Sequence, residues 1–142
     1  MDAGDPDGQA ALEALRPRTP LGVGSVALAL AWARLVARDP AGARTAAVSG
    51  LAALDGTGAR LLEAQLAATA AIAAARAGDV AAAEAWLPDR ARTGQDIVGV
   101  LQRIARAEVA SARGERARGL GDVVALAPRS IAVRLMLGPG GR

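Results

Sequence analysis

The sequence predicts an all-α protein, a solenoid of stacked antiparallel helical hairpins, about three of them followed by a C-terminal capping helix. Composition, periodicity and a recurring turn carry this prediction. Apolar residues make up 52% of the 142-residue chain and aromatic residues 1%. The core must therefore be assembled from Ala, Leu, Val and Ile, with Trp32 and Trp86 as its large rings. Ala and Leu are strong helix formers, and the aromatic and β-branched residues that favour strands are absent or a minority. The length suits one domain, since single cores span roughly 100 to 200 residues.

Taken in order, residues 1–8, "MDAGDPDG", are acidic and rich in turn formers, and are expected to be disordered. "QAALEALR" suits a short helix that Pro17 stops. The segment 1–24 is thus read as disordered or partly helical, the repeat domain as 25–137 and a flexible tail as 138–142. From Ser25, read as an N-cap, apolar positions run through Val26, Leu30, Ala33 and Val36 until "RDPAG" breaks the helix. A second helix covers 41–54 and ends at "DGTG". The next pair comprises a long helix over 59–77 and a shorter one over 80–87 that Pro88 stops. Between them Gly78 supplies a left-handed C-cap and Asp79 an N-cap oxygen. The third pair is 95–112 and 115–127. In its first helix Ile97, Leu101, Ile104 and Glu108 share a stripe that Val98, Ala105 and Ala112 widen. "RSIAVRLML" fits a short capping helix before the Gly-rich end.

Comparison of the turns "ARDPAGAR", "ARAGDVAAAE" and "ARGERARG" shows the unit recurring roughly every 36 to 39 residues, the mark of a stacked α-hairpin array. A hairpin cannot bury its own apolar face, so about three are needed, and three are present. Small residues beside the turns (Ala75, Ala77, Ala81, Ala82, Ala110, Ala112) are expected to let paired helices approach to about 8 Å.

The units "AAARAGDVAAAEAWL" and "ASARGERARGLGDVVALAP" resemble tetratricopeptide repeats in their Ala spacing, their Gly-acid turn and the terminal Pro128. Residues 90–140 also resemble the last sensor repeats of large LuxR-type, MalT-like ATP-binding transcription regulators. That resemblance implies a ligand- or partner-sensing solenoid. The chain has no Walker lysine and no complete helix-turn-helix. "APRSIAVRLMLGPG" is similar to the first part of a LuxR-type helix-turn-helix, yet no recognition helix follows in this chain, which leaves a capping helix as the plainer reading.

Composition removes whole classes of chemistry. Every cation is Arg, 17 against 14 acids for a net charge of +3, and this usage looks like a high-GC bacterial coding bias. A spurious reading frame would not produce the helical periodicity. The absence of Cys and His removes disulfides, thiolate or imidazole metal ligands, and every Ser-His or Cys-His nucleophile pair. No metal and no cofactor are expected. "LGVGSVALALAWA" looks superficially like a signal-peptide core, but acidic residues precede it and it falls short of the roughly 20 residues of a bilayer span. A cytoplasmic protein with no membrane partner is the expectation.

"GVGSVA", with Gly22, Gly24 and Ala27, satisfies G-x-G-x-x-A formally, but no strand precedes it to form a dinucleotide site; a helix lead-in is the plainer reading. Arg103, Arg106 and Arg113 fall on one side of the third long helix, with Arg116 and Arg118 beyond the turn and few acids at i±4. They are the candidate partner-binding residues; the alternative is a solvated face. Direct nucleic-acid binding is not expected, because stacking aromatics are missing. Glu63, Asp79, Glu84 and Glu108 are the candidate general bases. Asp79 is better read as a cap, Glu84 as a solvated residue, and Glu108, on an apolar stripe, as paired with an Arg or partly exposed. Trp32 and Trp86 sit at core spacing and read as packing anchors.

These readings converge on a non-enzymatic helical-repeat interaction module, regulatory in character, that binds a peptide or protein segment in a groove lined by the first helix of each hairpin. The arginines would steer the partner. The alternatives are a sensor fragment of a LuxR-type regulator lacking its ATPase and DNA-binding domains, and a small all-α enzyme using carboxylate and Arg side chains. Association of two copies through an apolar terminal hairpin is a further expectation.

Overall fold

The computed structural model describes residues 6–89 and 96–115. They form six helices, α1 (Pro6–Ala14), α2 (Pro20–Val36), α3 (Pro40–Leu54), α4 (Arg60–Arg76), α5 (Val80–Ala85) and α6 (Ile97–Ala112). No strand occurs among the described residues. The expected helix at 115–127, the capping helix, the tail at 138–142, and Arg116 and Arg118 lie outside them.

Helix starts follow local chemistry. The cap expected at Ser25 lies six residues earlier, at Thr19: its hydroxyl accepts the Gly22 N–H at 3.1 Å and Pro20 occupies the first turn, where its missing N–H costs nothing. Asp39 accepts from Gly42 N at 2.8 Å, Asp79 from Ala82 N at 3.1 Å and Asp96 from Gly99 N at 2.7 Å, opening α3, α5 and α6. "GVGSVA" is therefore the body of α2, with no strand before it.

The three turns share one geometry. After α4, Gly78 N donates to Ala75 O and Asp79 N to Ala74 O, the paired bonds of a Schellman cap, with Gly78 at φ 83°. Arg38 and Asp39 repeat this pattern after α2, and Gly114 and Glu115 after α6. Gly114 has φ 81°, whereas Arg38 holds the left-handed position at φ 60° despite its side chain. In the first two turns the acid that closes one helix also caps the next, so the chain reverses within two residues.

The helices then stack in order. Gly24 meets Leu54, Gly50 meets Ala27, and Leu35 shares a core cluster with Ala43, so α2 and α3 run antiparallel. Ala27 and Ala31 cluster with Leu66 and Ala70, while Leu35 clusters with Ala71, Ile72 and Ala73; this order makes α2 and α4 parallel. Ala68, Ala71 and Ile72 face Leu101, Ile104 and Ala105, and Ala74 and Ala75 face Val109, so α6 runs parallel to α4 as well. Helix α4 lies at the centre, packed on α2, α3, α5 and α6.

The close approach falls partly where the sequence places it. Ala75 and Ala83 are buried in the seam of α4 and α5, whereas Ala77, Ala81 and Ala112 are exposed. At Gly50 the two helices approach so closely that a Cβ would sit 2.7 Å from the Ala27 Cβ. Trp32 and Trp86 are half-buried against the core, as packing anchors should be.

Candidate functional site

Helix α6 was expected to carry a basic face, and it places the three arginines differently. Arg103 is half-buried in mid-helix, while Arg106 and Arg113, seven residues apart, face the segment containing α5. Arg106 Nη2 donates to the Pro88 carbonyl, and Arg113 Nη2 pairs with Glu84 Oε1. The neutralising acid thus comes from a neighbouring helix instead of from i±4 on the same one.

Together these groups line an open cleft of about 340 Å³ with Leu87, Asp89, Val109, Ala110 and Glu115. Two arginines face three carboxylates there, so the cleft is not a basic trough.

Of the four candidate carboxylates, Asp79, Glu84 and Glu108 are engaged in ion pairs. Glu108 Oε1 accepts from both Nε and Nη2 of Arg76, at 2.9 and 2.8 Å, so its place on the apolar stripe is explained by an Arg from α4. Asp79 caps α5 and also accepts from Arg44 Nη1 at 2.9 Å. Its carboxyl is held below the usual value first by the Ala82 N–H and then by Arg44. Glu13 is likewise held low, by Gln9 first and then by Arg34 of α2. Among the described residues no group of three or more acidic side chains could hold a metal ion.

A feature that the sequence reading passed over lies at the opposite end of the helices. Leu21, Leu61 and Ile97 are 55%, 59% and 43% exposed. Each stands 18 residues before its turn acid, Asp39, Asp79 or Glu115, and each opens one of the parallel helices α2, α4 and α6. Three large aliphatic side chains therefore stand at one register position on neighbouring helices, all at one end of the stack. Single exposed leucines are ordinary, but three at one register position of neighbouring helices call for an explanation.

Aligning the units on their turn acids would have exposed the row. Read by periodicity alone, Leu21 fell in a lead-in and Ile97 in the core stripe. No helix among the described residues is long and apolar enough to cross a membrane. Compared with family models, curated proteins and solved structures, the chain matches none.

Proposed function

We propose that the chain is a non-enzymatic helical-repeat interaction module of the tetratricopeptide type, which docks a protein segment across the N-terminal ends of α2, α4 and α6. The single observation that carries this reading is the register-matched exposure of Leu21, Leu61 and Ile97. The parallel order of those helices and the shared turn geometry support the solenoid arrangement.

The spacing defines the partner. Packed neighbouring helices lie about 8 to 10 Å apart, which matches the roughly 10 Å between residues seven apart on an α-helix. A helix with aliphatic residues at a seven-residue interval would seat one on each side chain of the row. Arg103, Arg106 and Arg113 enter as steering charges only, because Arg106 and Arg113 are already bonded within the chain.

A photo-crosslinking amino acid at position 61 tests the reading in the native cell, with the same residue at exposed Val48 of α3 as control. A defined protein adduct at 61 that is absent at 48 is expected. Identical adduct patterns at the two positions would refute the docking surface.

A further inference from the structure

On α4 the side turned toward α2 is fully buried. Leu66 and Ala70 cluster there with Ala27 and Ala31, and Ala73 with Leu35. The turn acids Asp39 and Asp79 set α2 and α4 in register 40 residues apart, so the corresponding positions on α2 are Val26, Leu30 and Ala33. They mark the side on which α2 would receive another helix. All three are half-buried, and Leu30 also reaches the core cluster of Ala27 and Ala31. Val26 and Ala33 are half-buried although they stand about 160° round the helix axis from Gly24 and Ala31, which face the core.

The segment that precedes α2 meets it at both edges of this side. Glu13 Oε1 pairs with Arg34 Nη2 at 3.0 Å, and Pro17 lies so near Gly22 that a Cβ there would sit 3.0 Å from the Pro17 Cβ. Gly22 and Arg34 are about 120° apart round α2, and Val26, Leu30 and Ala33 all stand within that arc. The attachment is light. No residue of α1 is buried, and a helix of 9 residues does not hold its shape alone. Arg34 Nη1 donates to the Gly42 carbonyl at 3.2 Å, so one guanidinium joins α1, α2 and α3. A solvent-exposed ion pair of this kind contributes little and is screened by salt.

We propose that residues 6–17 are a releasable strap, fastened by the pair of Glu13 and Arg34, that closes the side of α2 on which a further hairpin would stack. The strap fills on α2 the place that α2 fills on α4, and gives the first helix of the array the polar cover that the end of a solenoid requires. Its release bares Val26, Leu30 and Ala33 together. The strap is independent of the docking reading above, because Leu21 lies on another side of α2.

The chain has no cysteine, so a single introduced thiol reports on the strap. Labelling by a maleimide is timed in full-length Val26→Cys, with Val48→Cys as the exposed reference. The expected rate at 26 is at least about tenfold below that at 48, as an open state no more than about a tenth populated requires. Glu13→Arg should bring the two rates together, and Glu13→Arg/Arg34→Glu should restore the protection. Labelling at 26 as fast as at 48 in the otherwise unaltered chain overturns the strap. So does protection that Glu13→Arg leaves intact, since the shielding would then come from the body of the protein, or a failure of the exchanged pair to restore it at unchanged helicity. Should Arg34→Glu lower the helical circular dichroism through loss of the Gly42 bond, salt decides instead. A rate at 26 that rises between low and molar salt while that at 48 stays constant supports the strap, and a constant ratio of the two overturns it.

Discussion

Arg38 occupies a backbone position that its two counterparts give to glycine. With φ at 60° its Cβ crowds the carbonyl, at a cost of roughly 1 to 2 kcal/mol for an L-residue, whereas Gly78 and Gly114 sit there without that penalty. Arg38→Gly is therefore expected to raise stability by about 1 kcal/mol, since the relief of strain outweighs the added freedom of the unfolded chain. The check is a higher urea midpoint at unchanged slope. Gly78→Ala should move the midpoint the other way by a similar amount. Asp79 gives the pH dependence. Its carboxyl is depressed below the ordinary 3.8 by the Ala82 N–H and Arg44, so its contribution is complete above that value and is lost as pH falls through the lower folded value. With no His or Cys to titrate, thermal midpoints should be flat between about pH 5 and 8 and fall below about pH 4. Asp79→Asn keeps a capping oxygen but loses the charge, so the difference between melts at pH 7 and pH 3 should shrink.

At the scale of elements, the contact between α2 and α3 is set by what is missing at Gly50. A Cβ there would stand 2.7 Å from that of Ala27, which is fixed to its own helix and cannot turn aside. Gly50→Val should part the two helices and cost about 1 to 3 kcal/mol by overpacking, measured by chemical denaturation. The substitution also puts a value on the alanine-rich seam. Helix ends were legible in the sequence wherever a cap declares itself: Asp39 with Pro40, and Gly78 with Asp79, mark their turns correctly. The start of α2 was not, because Pro17 was read as stopping a short helix and Ser25 as the next cap, although Thr19 before Pro20 is itself a helix-opening pair. Seam faces were harder still. In α4 every residue from Ala68 to Ala75 is buried, so its sequence has no polar side to orient it. Alanine tolerates both water and core, and only the neighbouring helices decide which alanine packs. Helix α6 was clearer, since Arg76 of α4 accounts for Glu108 on its apolar stripe.

For the whole molecule, order-preserving contacts from α2 through α4 to α6 make a stack in which an equivalent residue recurs at an equivalent place. That order puts three separately unremarkable side chains at one register position, and for this reason the row is invisible to any single window of sequence. The arginines show the reverse. Conspicuous in the sequence, Arg106 and Arg113 each give an Nη2 donor to Pro88 and Glu84 respectively, and so tie α6 to α5 and the residues just after it. Their joint replacement by alanine should lower the thermal midpoint. A surface built on Leu21, Leu61 and Ile97 should tolerate mutation without loss of fold, because all three are exposed. The most direct measurement is quantitative affinity capture from the native cell with the tagged chain, its Leu21→Ser/Leu61→Ser/Ile97→Ser variant and a Val48→Ser control. A partner retained by the wild type and the control but reduced at least about tenfold by the triple variant, equivalent to about 1.4 kcal/mol, is the predicted result. Equal capture by a triple variant of unchanged helicity would contradict the account.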